Sequence, residues 1–223
     1  KPAMGNLMSF TARRRNRSSN TSAFDSAEVI RAEIFSVERL EQHATSLAMA
    51  QSVTARPPSV QPLTARLRDN HRALLDAHRA IAKAIGQQSA ITPSAEWLVD
   101  NFHVVEAQIR QIRDDLPPGY YRQLPKLADG PFAGYPRVMG LAWAFVAHTD
   151  SRFDTHLLTC FVSAYQLEQP LTIGELWAIA ITLRIVLVEN LRRAADSIAS
   201  ARAVRQEADR LADRLLGTGG RPS

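Results

Sequence analysis

Apolar residues recur three and four positions apart along most of this chain, which is the spacing of one face of an α-helix. In the first third, the pattern predicts a helix that begins at Asp25 or Ser26 and ends before Arg56. A second helix is predicted over residues 62–85 and a third over residues 92–116. Glycine or proline follows each of these segments, as expected where helices end.

The C-terminal half is more strongly patterned. Helices are predicted over residues 137–147 and 155–168, followed by a long helix after Thr172. Thr172 and Glu175 have the spacing of a capping box. If this helix runs to Leu216, it is ~65 Å long at 1.5 Å per residue. Its first half is apolar on almost every side and should be central, whereas its second half, from Arg192, is charged and should project or cover an edge.

Residues 117–136 are the least regular part of the chain, with five prolines and three tyrosines. A segment of this kind inside a compact domain is uncommon unless it is functional or packs on itself. We expect it to be ordered and to lie across the helices with its tyrosines packed. The predicted fold is therefore all-α, an irregular bundle of about six helices with a long C-terminal helix, a Pro/Gly-rich ordered loop and no sheet.

Charge divides the chain further. The 223 residues carry a formal charge of +5, and much of the excess lies in the cluster at Arg13, Arg14, Arg15 and Arg17. A basic run among Ser and Asn is typical of a solvated arm, and its alternative partner is an anionic membrane surface. No aromatic residues interleave it, so no nucleic acid partner is expected. We divide the chain into a disordered basic arm (1–24), a helical domain (25–216) and a tail or linker (217–223).

Few residues suggest chemistry. Cys160 is the one cysteine, which excludes an internal disulfide and a cysteine-based zinc site. His103 and Glu106 lie one turn apart, but the Glu-x-x-His turns of helical di-iron proteins are absent, so we interpret them as a surface or hydrogen-bonded pair. The cluster from His148 to Asp154 could transfer protons. Its positions are also those of a helix end and the cap of the next helix, which is the interpretation we favour.

Arg184 stands out because its helix is so apolar. No acidic residue lies three or four positions from it, so it must reach solvent or pair with another element. The expected partners are Asp100, Asp150 and Asp154, in a structural bridge, and because the neighbouring turns are apolar we expect the charge of Arg184 to be desolvated. Glu189 and Arg192 have the spacing of a pair within one helix.

No phosphate loop, nucleophile elbow or metal cluster is present in the sequence. We therefore predict no catalytic residue, no metal site and no cofactor in this segment. The candidate binding residues are Tyr120, Tyr121, Arg122, Tyr135, His148, Asp150 and Arg184.

Four stretches carry a family resemblance: residues 97–114 (WLVDNFHVVEAQIRQIRD), 116–124 (LPPGYYRQL), 134–150 (GYPRVMGLAWAFVAHTD) and 171–193 (LTIGELWAIAITLRIVLVENLRR). Together they resemble the helical segment near the start of bacterial cyclic β-1,2-glucan synthases. That family implies a large inner-membrane glycosyltransferase that uses UDP-glucose and a divalent metal. Its Gln-x-x-Arg-Trp motif and α/β nucleotide fold have no counterpart in this sequence, so no catalytic residue carries over.

The resemblance implies a non-catalytic helical module on the cytoplasmic side of the inner membrane. Its partners would be the other domains of the parent synthase, which it would pack against or position, and glucan is an alternative ligand. The segment alone should be soluble, and we expect it to be inactive although its parent is an enzyme. Two alternatives remain open. One is a free-standing helical interaction or adaptor protein, and the other is a helical enzyme that uses the His148–Asp154 cluster.

Overall fold

The computed structural model describes residues 22–87, 91–116 and 119–216, so the basic cluster and the tail at 217–223 lie outside the described residues. Helices dominate this part of the chain, which confirms the all-α class. The eight helices of the described residues are α1 (Val37–Ala50), α2 (Leu63–Gly86), α3 (Pro93–Asp100), α4 (Phe102–Asp115), α5 (Tyr120–Gln123), α6 (Arg137–His148), α7 (Thr155–Glu168) and α8 (Ile173–Leu216).

The long helix α8 is the axis of the fold. Its first half packs against α2, α4 and α6, while α1 and α7 pair with each other as a further layer. Residues such as Ala178, Ile185 and Val186 are buried there, because the helix is apolar on nearly every side. From residue 199 onward no residue of α8 is buried. Both predictions for this helix, a central first half and a projecting second half, are confirmed.

Side-chain caps fix several helix starts. The backbone N–H of Glu175 donates to Thr172 Oγ1 at 3.2 Å, and that of Thr172 donates to Glu175 Oε2 at 2.9 Å, which is the predicted capping box. The Asp154 carboxylate accepts from the N–H groups of His156 and Leu157 at the start of α7. Helices α6 and α7 lie within one residue of their predicted bounds.

The first helix begins at Val37, so the predicted start at Asp25 or Ser26 is wrong. Residues 22–36, which we call the strap, run without helix across the bundle. The N–H of Ala32 donates to the carbonyl of Ala147 at 2.9 Å, and that of Phe35 donates to His148 at 3.1 Å. These long-range partners replace the bonds that a helix would supply, so the local apolar spacing does not decide the backbone.

The predicted third helix is two helices, because the chain breaks at Asn101. This residue ends α3 and precedes α4, and its side chain donates to the Trp97 carbonyl at 2.9 Å. Asparagine competes with helical hydrogen bonds in this way. Together with the short helix α5, the break accounts for eight described helices where about six were predicted.

The described residues also contain one two-stranded sheet, so the prediction of no sheet is wrong. Strand β1 (Val53–Thr54) pairs antiparallel with β2 (Lys126–Leu127), a ladder too short to give a sequence pattern. Leu124, Leu127 and Phe132 are buried, so residues 119–136 pack on the helices as predicted. Gly134 has φ +85°, and a Cβ there would lie 2.5 Å from the Pro58 carbonyl.

Candidate functional site

The buried carboxylate of Glu189, near the middle of α8, accepts hydrogen bonds from side chains of two helices, α2 and α8. Glu189 Oε1 accepts from Arg66 Nη2 at 2.8 Å, Arg193 Nε at 3.0 Å and Arg192 Nη2 at 3.1 Å. Its Oε2 accepts from Asn70 Nδ2 at 2.8 Å and Arg66 Nε at 3.0 Å. Burial alone would raise the pKa of Glu189, but the Arg66 guanidinium and the other donors lower it to about 2. The carboxylate is therefore held ionised by its donors.

The same arginines bind the strap. Arg193 donates to the carbonyls of Glu28 at 2.8 Å and Ala23 at 2.9 Å, and Arg66 donates to that of Phe24 at 3.3 Å. The Arg66 guanidinium also lies 3.9 Å from the centroid of the Phe24 ring. The Glu189 carboxylate thus positions Arg66 and Arg193, and the remaining N–H groups of these two arginines bind the backbone of the strap.

The predicted Glu189–Arg192 pair is confirmed at 3.1 Å. Arg66, Asn70 and Arg193 were not predicted as its companions. Arg66 and Asn70 lie more than a hundred residues before Glu189. One sequence signal could have indicated these partners. Glu189 is an acidic residue inside an apolar helix, and such a group is rarely buried without partners.

A second buried pair joins α6 to the start of α8. Arg137 Nε donates to Glu175 Oε1 at 2.9 Å and its Nη2 donates to Oε2 at 2.8 Å, with both side chains buried. Burial opposes ionisation of Glu175, but hydrogen bonds from Arg137 and Thr172 outweigh it and lower the pKa of Glu175. The bidentate geometry suits a guanidinium and would be lost with lysine.

Hydrogen bonds extend this pair to three helix ends. Arg137 Nη1 donates to Gln169 Oε1 at 2.8 Å, and Gln169 Nε2 donates to the Gln51 carbonyl at 2.9 Å. Tyr165 Oη donates to Gln51 Oε1 at 2.7 Å, and burial raises the pKa of Tyr165 to about 12. The donors and acceptors of this network are directed at one another, so the network ties together the ends of α1, α6 and α7.

The His148–Asp154 cluster forms helix ends, as the favoured interpretation had it. The His148 ring stacks on Phe35 with centroids 3.8 Å apart, and its Nδ1 lies 2.8 Å from the Glu33 carbonyl. Asp150 pairs instead with Arg31 at 3.0 Å, while Asp154 caps α7. Because these side chains have separate partners, they do not form a proton-transfer pair with one another.

Near this cluster lies a second imidazole. The ring centroids of His43 and His148 are 4.6 Å apart. Burial, and after it the charge of His148, lower the pKa of His43. Burial is the larger of these two causes, and both favour the neutral state of His43.

Two of the three loop tyrosines direct their hydroxyls at α8. Tyr121 Oη lies 2.6 Å from Thr182 Oγ1, and Tyr120 Oη donates to the Gly174 carbonyl. Tyr135 is buried against Phe24 with ring centroids 4.8 Å apart. Burial raises the pKa of both Tyr121 and Tyr135.

The packing of these tyrosines is confirmed, whereas their binding role stays a prediction. Arg122, beside them, is exposed. The structure therefore does not gather the four predicted loop residues into one open surface.

Arg184 pairs with Asp115, at 3.1 Å, so the three expected partners are wrong. Both side chains are well solvated, 38% and 48% exposed, so the expected desolvation of Arg184 is also wrong. The reason is its direction: Arg184 lies on the side of α8 that lines an open groove. The prediction of a structural bridge to another element is confirmed, but as a surface bridge.

His103 and Glu106 are not partners in a metal site. His103 is exposed, and Glu106 Oε1 lies 3.9 Å from Nε2 of His71. Arg113 donates to Nδ1 of that imidazole at 2.8 Å. Among the residues that the structure describes, no group of three or more His, Cys, Asp or Glu side chains could hold a metal ion.

An apolar groove runs between α8 and the α3–α4 pair. Trp97, which is 54% exposed, Val104 and Val105 form one wall, and Leu187 and Leu191 form the other. The groove continues toward Ala194 and Ile198. Its few polar groups include Gln108 and Arg184, so its chemistry suits an apolar side chain better than a sugar hydroxyl.

None of the described helices combines the length and the apolar composition that crossing a bilayer requires. No protein-family model matches the chain. The chain is 41% identical over 194 residues to the cyclic β-(1,2)-glucan synthase NdvB of Rhizobium meliloti (strain 1021). The alignment covers 86% of this chain and 7% of that synthase, so the chain spans a small part of the relative's length. Over most of its length the chain is therefore similar in sequence to a small part of one cyclic β-(1,2)-glucan synthase, which confirms the resemblance.

Proposed function

We propose that this chain is a non-catalytic helical module of a cyclic β-(1,2)-glucan synthase, which packs against or positions the transferase domain. The proposal rests on the use that the fold makes of its buried charges. Among the described residues, the two buried carboxylates are those of Glu175 and Glu189, and each accepts hydrogen bonds from an arginine of another helix. A carboxylate held ionised in this way cannot readily act as a general acid.

The relative supports the context of the proposal. NdvB is named for cyclic β-(1,2)-glucan synthesis, and the chain matches a short part of it. UDP-glucose and a divalent metal would then be bound elsewhere in the synthase, on the cytoplasmic side of the inner membrane. The module would supply a rigid surface.

Two measurements test the proposal. The purified chain, incubated with radiolabelled UDP-glucose and Mg²⁺ or Mn²⁺, should form no glucan above a protein-free blank. Glucan formed by the chain alone would overturn the non-catalytic role.

In the parent synthase, Arg137→Met should reduce glucan synthesis only as far as it reduces the amount of folded protein. Gln61→Ala serves as the matched control, because this exposed side chain lies outside both buried ion pairs. Loss of synthesis with unchanged melting temperature and protein level, for either variant, would indicate a direct role in the reaction.

A further inference from the structure

The second half of the strap is bonded to the end of α6 and not to the Glu189 cluster. The N–H of Ala32 donates to the Ala147 carbonyl at 2.9 Å, and that of Phe35 donates to the His148 carbonyl at 3.1 Å. In return, Nδ1 of the His148 ring lies 2.8 Å from the Glu33 carbonyl. The first half of the strap is held by side chains of α2 and α8. The two halves of the strap therefore have separate attachments.

Two imidazole rings lie at the attachment to α6. The ring centroids of His43, on α1, and His148 are 4.6 Å apart. Both rings also contact Phe35, with centroids 5.5 Å and 3.8 Å from the centroid of the Phe35 ring. Because a carbonyl only accepts, His148 Nδ1 carries the hydrogen that reaches the Glu33 carbonyl, and a further proton on this ring would go to Nε2. Protonation of both imidazoles would therefore place two positive charges side by side against Phe35.

Among the described residues, no carboxylate forms an ion pair with either imidazole. The acidic groups on the strap and in the turn after α6 have other partners: the Glu33 carboxylate pairs with Arg39 at 2.6 Å, and the Asp150 carboxylate pairs with Arg31 at 3.0 Å. The Arg39 guanidinium itself lies 4.5 Å from the centroid of the Phe35 ring. A second charge on the imidazoles would thus be added to a setting that already holds a cation.

Helices α6 and α7 both pack on α1 and bring further ionisable side chains to it. Those of α1, α6, the turn after α6 and α7 not yet named for this attachment are Glu38, Glu41, Arg137, Arg152, Asp154, His156, Cys160, Tyr165 and Glu168. Among the described groups, His148 is the one whose charge shifts the pKa of His43. The two imidazoles therefore act on each other more than any other charge acts on His43.

We propose that His43 and His148 form a proton-operated latch, in which protonation of both rings releases residues 31–35 of the strap from the end of α6 while the first half of the strap stays docked. Two imidazolium rings at this separation repel each other, and displacement of Phe35 lets them separate and reach water. Release uncovers the carbonyls of Ala147 and His148 at the end of α6. This conformational device is independent of the role in the synthase proposed above.

The direction of the pH effect follows from burial. Burial lowers the pKa of His43 from its ordinary value of 6.5, and the charge of His148 lowers it further. The released state therefore binds more protons than the latched state, so the latch is fully stable above pH 6.5 and weakens as the pH falls below 6.5. One proton of difference changes the equilibrium by at most about tenfold per pH unit. Glu189, with a pKa of about 2, stays ionised in this range and keeps the first half of the strap docked.

Hydrogen exchange of single amides, measured by NMR on the full 223-residue chain between about pH 7.5 and about pH 5.5, tests the latch. Protection factors, which are corrected for the intrinsic pH dependence of exchange, should fall at least about threefold for the N–H groups of Ala32 and Phe35. Those of Ala23 and Ile30, in the first half of the strap, should stay constant. Constant protection of Ala32 and Phe35, or an equal fall for Ile30, would overturn the proposal.

Two substitutions of one imidazole identify the titrating group. His43→Phe keeps a ring beside Phe35 but takes up no proton, and His43→Gln removes the ring as well. In both variants the protection of Ala32 and Phe35 should no longer depend on pH across this range. His156→Gln is the matched control, because His156 is exposed on α7 and contacts Cys160, and it should keep the fall. A fall that persists in His43→Phe, or that disappears in His156→Gln, would assign the pH dependence to another group and overturn the latch.

Discussion

Asn190 and Ile30 are joined by two hydrogen bonds although 160 positions separate them. The Ile30 N–H donates to Asn190 Oδ1 at 2.6 Å, and Asn190 Nδ2 donates back to the Ile30 carbonyl at 3.3 Å. The same Nδ2 lies 2.9 Å from Ser151 Oγ. The Asn190 side-chain amide thus pairs with both the N–H and the carbonyl of Ile30, as the backbone of a neighbouring β-strand would.

Replacing this amide should loosen the strap. Asn190→Ala leaves the Ile30 N–H and carbonyl without partners, and we expect a loss of about 1–3 kcal/mol. Urea denaturation measures the loss, and limited proteolysis should show earlier cleavage within residues 22–36. Gln61→Ala, which removes an exposed side-chain bond to Asp69, should change stability by less than about 0.5 kcal/mol. Equal effects of the two variants would contradict the assigned role of Asn190.

Glu189→Gln should be strongly destabilising. The substitution removes the charge that compensates Arg66 and Arg193 in a buried setting, and breaking a buried pair costs about 3–5 kcal/mol. Chemical denaturation provides the measurement. Glu207→Gln, in an exposed pair with Arg210, should cost less than about 1 kcal/mol. A near-neutral Glu189→Gln would show that water enters the site and solvates the arginines.

Stability should fall in acid because of the same carboxylate. The pKa of Glu189 is about 2 in the folded protein, below its ordinary value of 4.5. Its contribution, roughly 3 kcal/mol, is therefore present above pH 4.5 and is lost as the pH falls from 4.5 towards 2. Unfolding free energies measured across this range should fall less steeply for Glu189→Gln than for the unmodified chain. Parallel curves would contradict the prediction.

Two arginines of the helical bundle should lose very different amounts of stability when replaced by methionine. Arg137→Met leaves Glu175 buried and unpaired, with an expected loss of about 3–5 kcal/mol, and Arg137→Lys should be intermediate. Arg184→Met breaks a solvated bridge to Asp115 and should cost less than about 1 kcal/mol. The two melting curves decide the matter, and a large loss for Arg184→Met would restore the desolvated bridge that the sequence suggested.

Gly134→Ala tests the close approach of the loop to the chain before α2. Alanine there meets both a positive φ and the Pro58 carbonyl, so we expect a loss of at least about 2 kcal/mol. Gly130→Ala is the matched control, because Gly130 has φ +74° but open space around its Cβ position. It should cost about 1 kcal/mol, and equal losses by thermal denaturation would mean that strain alone matters.

Helix positions were predictable where the signal is local. The caps at Thr172 and Asp154 need only the residues that follow them, and both were found from the sequence. The strap failed for the opposite reason. Val29, Ile30 and Ile34 have helical spacing, but the hydrogen-bond partners that hold the strap extended come from α6 and α8.

In the candidate site, too, the contacts between residues close in sequence could be predicted and the distant ones could not. Glu189 and Arg192 lie three positions apart, so their pairing could be predicted. Arg66 approaches the same carboxylate from a distance of 123 positions, and no local pattern indicates it. Arg184 was misjudged because periodicity shows how apolar a helix is but not which of its sides the other helices cover.

Because translation runs from the N-terminus, the strap is synthesised long before the residues of α8 that bind it. The carbonyls of Ala23 and Glu28 are made early, but Arg193, which binds them, follows about 165 positions later. At roughly 5–20 residues per second, the strap waits about 8–33 s before its partner exists. Until Arg193 is made, the carbonyls of Ala23 and Glu28 lack the donors that bind them in the folded protein. The strap therefore cannot take its final place in the fold before α8 has been made.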